Sequence, residues 1–158
     1  KIAIFTALMN MSFKTVDMDP DNTASVCKLL PYLNPNSEAI TQKGEDYLEE
    51  YQGKLDYVYL DAFDFYHEHH SSERKKRYKE LLDTEINDEE CWEMHRKCAV
   101  SIISKMSVDG LVGTDDTWIK KSGEWGGKGK LAVPLLLENG YLIVAQNKRA
   151  IVLKRIIS

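Results

Sequence analysis

Two rhythms of apolar and polar positions run along the chain. Residues 1–11 place Ile2, Phe5, Leu8 and Met9 at helical spacing, with Ala3 and Ala7 between them. Ile4 fits a helix or a strand. FKTVDM at 13–18 reads as a short strand closed by Asp19-Pro20. Asp21 or Asn22 can cap a helix over 22–33, with Ala24, Val26, Cys27, Leu29 and Leu30 as its apolar face. Pro31 and the Asn-Pro-Asn at 34–36 end it. A brief strand at 38–42 leads to Gly44-Glu45-Asp46, and the short helix DYLEEY follows and stops at Gly53.

The stretch LDYVYLDAFDF at 55–65, bounded by Gly53 and a polar loop, reads as a buried strand. An apolar and aromatic run drives into Asp61, and a second acid, Asp64, follows three positions later. Residues 66–87 are dominated by charge and read as a solvated helix with a loop at each end. Asn87 or Asp88 caps a longer helix to about Met106, with Trp92, His95, Cys98, Ala99, Ile102 and Ile103 at helical spacing. Asp109-Gly110 turns the chain into a strand at 111–114. A loop rich in Gly, Lys and Trp covers 117–128, and a helix over 129–138 ends at Asn139-Gly140. The β-rich runs at 141–145 and 150–156 predict a terminal antiparallel hairpin. The alternation of strand and helix predicts an α/β fold in a single domain. Its sheet is expected to be Rossmann-like and mostly parallel, with helices on both faces and the hairpin at the C-terminus.

Composition narrows the function classes. The 158 residues suffice for one domain with a core. A formal charge of −4 gives no electrostatic reason to expect a nucleic acid or an anionic membrane. No apolar run approaches the roughly 18 residues of a membrane span. Cys27, Cys91 and Cys98 are an odd number without CxxC spacing, which favours reduced thiols in a cytoplasmic protein.

Three strands end in acid: at Asp17, Asp61 and Asp115. Open α/β sheets do their chemistry beyond such strand ends, so the three suggest one site at one sheet edge. Asp17 can accept both ribose hydroxyls of a nucleoside, or it is a turn aspartate before Asp19-Pro20. Gly44, Glu45 and Asp46 can meet an adenine edge or form a helix start favoured by the dipole. Asp61, Asp115 and Asp116 offer the hard oxygen ligands of a divalent cation, or they are solvated loop acids. Adjacent acids are costly unless something cationic compensates them. His67, His69 and His70 do not have a structural zinc spacing and read as a solvent-facing run. His95 reads as a packed or surface histidine. GGKGK at 126–130 lacks the Ser or Thr of a phosphate loop and reads as a mobile loop.

Taken together, these residues make the chain resemble the class I S-adenosylmethionine-dependent methyltransferases. The closer likeness is to the metal-assisted small-molecule O-methyltransferases and the sugar methyltransferases that share their DD motif. TVDMDP is similar to the family's second strand, KGEDYLEEY to the turn after the third, and LDYVYLDAFD to the fourth. DGLVGTDDTW is similar to the fifth strand, and GKGKLAVPLLLENGY to the last helix before the terminal hairpin. The resemblance implies that Asp17 binds the cofactor ribose with Met18 beside the adenine. Gly44, Glu45 and Asp46 would lie at the adenine edge, with Asp61 also against the cofactor. It places Asp61, Asp115 and Asp116 on the positions of a magnesium ion, and Asp64 where the catechol-type enzymes carry a catalytic lysine. Asp61 and Asp64 are therefore the candidate catalytic pair, with Asp64 a candidate base.

The expected activity is methyl transfer from S-adenosylmethionine to a small hydroxyl-bearing acceptor, aided by Mg2+. The resemblance also implies that the family's first strand and glycine-rich cofactor loop lie before Lys1. Residues 1–158 alone would then leave two exposed sheet edges and half a cofactor pocket. The charged run 66–87 is longer than the family minimum and would form a lid over the acceptor or part of a homodimer contact. The rival reading is a catalytically inactive methyltransferase-like module for binding or assembly. A nicotinamide-dependent oxidoreductase shares the ribose acid, but the hairpin and the acids at 61 and 115–116 speak against it.

Overall fold

The structure is a computed structural model that describes residues 2–156; Lys1, where the expected 1–11 helix begins, lies outside the described residues. The chain forms two compact units, Lys1–Tyr47 and Leu48–Ser158.

The first unit runs α1 (Ile2–Leu8), β1 (Phe13–Asp17), α2 (Pro20–Cys27), α3 (Leu30–Leu33), β2 (Ser37–Thr41) and the start of α4 (Gly44–Glu50). β1 and β2 are parallel, in register from Phe13↔Ser37 to Asp17↔Thr41. The single helix expected over 22–33 is two. Asp19 caps α2, its carboxylate accepting the Asp21 N–H at 2.9 Å, and Pro20 opens it. Pro31 lacks the N–H that a continuing helix would need, so it sits in the first turn of the separate α3. Most of the expected apolar face is exposed, including Val26 and Leu29, and only Leu30 is buried. The centre of this unit is partly polar. Buried Asn34 donates to the Thr6 hydroxyl at 2.9 Å and to the Met11 carbonyl at 3.1 Å, and it accepts the Asn36 N–H at 2.9 Å. That satisfies a side chain whose burial would otherwise be costly.

The second unit contains β3 (Leu55–Leu60), α5 (Ser72–Leu82), α6 (Asp88–Lys105), β4 (Met106–Thr114), β5 (Thr117–Ile119), β6 (Trp125–Gly127), α7 (Ala132–Glu138), β7 (Tyr141–Gln146) and β8 (Ile151–Arg155). Its main sheet has the order β3-β4-β8-β7. β3 and β4 are parallel, whereas β4–β8 and β8–β7 are antiparallel, so the sheet is mixed rather than mostly parallel. The cause is the tight return at 147–150. Asn147 Oδ1 accepts the N–H groups of Arg149 and Ala150 at 2.8 and 2.7 Å, which sends β8 back between β7 and β4.

Asn87 caps α6, accepting the Glu90 N–H at 2.8 Å. α6 packs on α7 and β3. Ile102, Ala99 and Cys98 of α6, Val133 and Leu136 of α7, Val112 of β4 and Leu153 of β8 are all essentially inaccessible to water. Each large aliphatic side chain among them contributes about 1.5–3 kcal/mol of transfer free energy. α5 starts at a Ser71 cap and buries only Tyr78, which matches a mostly solvated helix. The stretch 117–128 is not a plain loop. β5 and β6 form an antiparallel hairpin in which Thr117, Trp118 and Ile119 face Gly127, Gly126 and Trp125. β1 has only β2 beside it among the described residues, and β3 and β7 are the two edge strands of the larger sheet.

Candidate active site

β3 and β4 pair to their last residues, Leu60↔Thr114, so Asp61 and Asp115 leave the sheet side by side at its carboxyl edge. The Asp115 N–H continues the ladder to the Leu60 carbonyl at 3.2 Å. Asp115 is fixed on three sides. One carboxylate oxygen accepts the Asp116 N–H at 2.9 Å, and the other accepts the Tyr59 hydroxyl at 3.1 Å. Its carbonyl accepts the Thr117 hydroxyl at 2.9 Å. Burial, reinforced by the bond to Asp115 and the charges of Asp115 and Asp61, pushes the Tyr59 phenol up to about 12. It therefore stays a hydrogen-bond donor at neutral pH.

The cation that these acids require is a lysine. Lys128, buried just beyond β6, donates from Nζ to Asp61 Oδ1 at 2.7 Å and to the Asp61 carbonyl at 3.2 Å. Its Nζ also lies 3.7 Å from Asp116 Oδ2, and Arg149 pairs with the other oxygen of Asp116. Backbone bonds lock this arrangement. The Lys128 N–H donates to the Asp116 carbonyl at 2.9 Å, and the Gly129 N–H donates to the Thr117 hydroxyl at 2.9 Å. Lys128 is 5% exposed at its side chain and Asp61 is 49% exposed, so the ammonium is dry while the carboxylate it holds still faces water. No protein group engages Asp61 Oδ2 among the described residues.

Magnesium was expected at Asp61, Asp115 and Asp116. The donor set does not fit it. Lys128 stands between Asp61 and Asp116, Arg149 takes a second oxygen, and Asp115 is committed to Tyr59 and the Asp116 N–H. Among the described residues no three His, Cys, Asp or Glu side chains are placed to hold a metal ion.

Asp64, the candidate base, is held by the Arg74 guanidinium of α5 at 2.6 Å. His67 and His70 stack at 3.6 Å between ring centroids, and the His70 ring bonds the Phe65 carbonyl at 3.0 Å. His95 is buried in α6. Its Nδ1–H donates to the Cys91 carbonyl at 2.7 Å, and its Nε2 has no partner. Burial holds its pKa down, near 4. Among the described residues Cys27, Cys91 and Cys98 form no disulfide, and burial pushes Cys91 up to about 12.

The remaining candidates lie in the first unit. Asp17 ends β1, where its carboxylate accepts the Asp19 N–H at 2.8 Å and Asn22 Nδ2 at 3.0 Å. Each oxygen keeps a lone pair for another donor, so the residue fits a ribose hydroxyl. Met18 follows it at half exposure, and Gly44, Glu45 and Asp46 form the first turn of α4.

Lys128, Arg149 and Tyr59 escape sequence reading. The only signal was the cost of adjacent acids, which demands a cation without saying which one. Lys128 is 67 residues from Asp61 and sits in a glycine-rich stretch that resembles a mobile loop.

No protein-family model matches the sequence, and comparison with curated proteins finds no match. Solved structures do match in fold. A protein described as an rRNA methylase from Clostridium thermocellum has TM-score 0.57 at 10% identity, covering 99% of this chain and 83% of that one. A protein described as a methyltransferase from Streptococcus mutans, in complex with SAH, has TM-score 0.55 at 8% identity, covering 94% and 80%. An rRNA methylase from Streptococcus thermophilus has TM-score 0.55 at 11% identity, covering 99% and 82%. The chain thus has a mixed α/β fold like that of these methyltransferases.

Proposed function

We propose that the protein transfers a methyl group from S-adenosylmethionine to a hydroxyl group of a small acceptor. The observation that carries this reading is the pair of strand-end acids, Asp61 and Asp115, at the carboxyl edge of a sheet whose fold is shared with methyltransferases. S-adenosylmethionine, when bound, supplies an electrophilic methyl on a sulfonium. Asp17 would hold its ribose, with Met18, Gly44, Glu45 and Asp46 as candidates for the adenine end. The chain's own contribution is placement. Asp61 Oδ2 accepts the acceptor hydroxyl and takes its proton, while Lys128 fixes that carboxylate through Oδ1. Asp64 remains the alternative candidate base, although its Arg74 pair occupies one of its carboxylate oxygens.

The positive charge that the sequence suggested would come from magnesium is supplied in this reading by Lys128. Two of the similar structures are described as rRNA methylases. A formal charge of −4 gives no overall electrostatic attraction to a polynucleotide acceptor, which supports the small acceptor.

Calorimetric titration with S-adenosylmethionine and SAH tests the reading, together with release of SAH in the presence of hydroxylated acceptors. Binding is expected, with turnover unchanged by EDTA and reduced about 100-fold or more in Asp61→Asn. Absence of cofactor binding overturns the proposal. Binding without turnover on any acceptor favours the inactive module, and loss of turnover in EDTA restores the metal.

A further inference from the structure

Beside the Asp61–Lys128 pair the second unit opens a cleft of about 220 Å³. Phe65, Tyr66, Trp92 and Trp118 give it aromatic walls, and Lys120 and Lys130 also line it, with the Lys130 ammonium over Trp92. The cleft is joined to the acids by the chain itself. Phe65 follows Asp64, Trp118 lies two residues after Asp116, and Gly127 immediately precedes Lys128.

Its walls are set before any ligand arrives. The Trp118 indole lies across the bare backbone of β6, where a Cβ on Gly126 would meet its Nε1 at 2.7 Å. Phe65 meets that indole edge to face, with centroids 5.7 Å apart and planes at 68°. Lys130 Nζ stands 3.3 Å over the Trp92 ring. Neither Lys120 nor Lys130 has a carboxylate partner among the described residues. The acid in the cleft, Asp88, is engaged, accepting the Tyr66 N–H at 2.8 Å.

We infer that this cleft binds a planar aromatic acid and is where the acceptor docks; the second clause rests on the methyl-transfer reading. The cleft is larger than the roughly 150 Å³ that encloses a benzene ring. It is smaller than the ~300 Å³ at which drug-sized sites begin, so it suits one substituted ring or two fused ones. The aromatic walls take the ring. The two lysines take a carboxylate, the only acid lining the cleft being Asp88, whose Oδ1 is already committed to the Tyr66 N–H. Preset walls lower the ordering cost of binding.

The test is titration of the protein with 4-hydroxybenzoate in the absence of S-adenosylmethionine, followed by tryptophan fluorescence and by the indole N–H signals of Trp92 and Trp118. Saturable binding is expected, with both indole signals shifting. Lys120→Gln, at an exposed position that folding tolerates, and Lys130→Gln should each weaken it about tenfold, the loss of one charge-assisted contact. Cyclohexanecarboxylate, an acid without a ring current or a flat face, and benzylamine, a ring without the acid, should bind far more weakly. The inference is overturned by no saturable binding, by equal binding of either control, or by affinity unchanged in both lysine variants. Tighter binding of uridine 5′-monophosphate than of the acid overturns it in favour of a nucleotide site. Because the cofactor is absent, the two proposals fail separately. Binding of S-adenosylmethionine without the acid removes the cleft alone, and the reverse removes methyl transfer alone.

Discussion

Two buried side chains, Lys128 and His95, show what single residues decide and how differently each could be read from sequence. His95 lies among apolar positions at helical spacing, a pattern that allows a packed or a surface histidine, and the structure buries it. The role of Lys128 could not be inferred, because its partners are remote in sequence and its neighbours are glycines. Both matter for pH. The His95 Nε2 is buried without an acceptor, so a proton added there would find no partner, and nearby Lys128 opposes it further. Its pKa falls from 6.5 to about 4, mainly because burial penalises the charged ring. The unfolded chain therefore binds a proton between pH 6.5 and 4 that the folded chain does not, and stability must fall as pH drops through that window. Going from pH 7 to pH 5 should cost about 2 kcal/mol from this residue alone. Urea denaturation at the two pH values measures it, and His95→Met should remove that part of the difference whatever its effect at pH 7. An unchanged difference in the variant would show that other groups cause the acid sensitivity.

At the scale of elements, long periodic segments were the readable ones. The apolar run of β3 was legible as a strand but not as the buried one expected, since only Leu60 of it is buried and Tyr57 and Tyr59 are exposed. The spaced core positions of α6 and the charged α5 follow from patterns that burial imposes. The β5–β6 hairpin did not, because each strand has only three residues and one of them is Trp-Gly-Gly. Strands that short carry no period, and their pairing depends on where an indole can lie flat. Gly127 makes the hairpin possible twice over. Its φ is 69°, and a Cβ there would overlap the Asp116 carbonyl oxygen that accepts the Lys128 N–H. The left-handed backbone alone costs about 1–2 kcal/mol for a side-chain-bearing residue, and the overlap adds to it. Gly127→Ala should therefore destabilise the protein by at least about 2 kcal/mol and dislodge Lys128 from Asp61. Gly126→Ala, whose Cβ meets first the Trp118 and Lys120 side chains rather than backbone, should cost less. Thermal melts of the two variants give the order, and a milder effect at Gly127 would contradict the geometry.

At the scale of the whole molecule, the division into two units was invisible in the sequence. It falls at Tyr47–Leu48 inside α4, where no proline, glycine or serine run marks a linker. The mixed sheet was equally hidden, since the placement of β8 between β4 and β7 depends on non-local pairing. The two units differ in how they are held together. In the first, Ala3 and Leu30 are the only buried apolar side chains among the described residues, and a buried asparagine network fills much of the rest. Its sheet has two strands, an arrangement that is marginal without further packing. Phe5, Leu8, Leu29 and Tyr32 are more than half exposed there. The second unit has a four-stranded sheet and a continuous apolar core from α6 through β4 and β8 to α7. Local opening follows buried apolar contact, so the free energy of opening should differ between the units. Native-state hydrogen exchange is expected to show the slowest amides in α6, β4 and β8. Amides of β1 and β2 should exchange at least about 100-fold faster, a difference of roughly 3 kcal/mol. Urea should release the first unit before the second, giving two transitions where a single cooperative domain gives one. Equal protection across both units with one shared transition would mean that the chain unfolds as a whole and that the polar centre of the first unit is stronger than its apolar content implies.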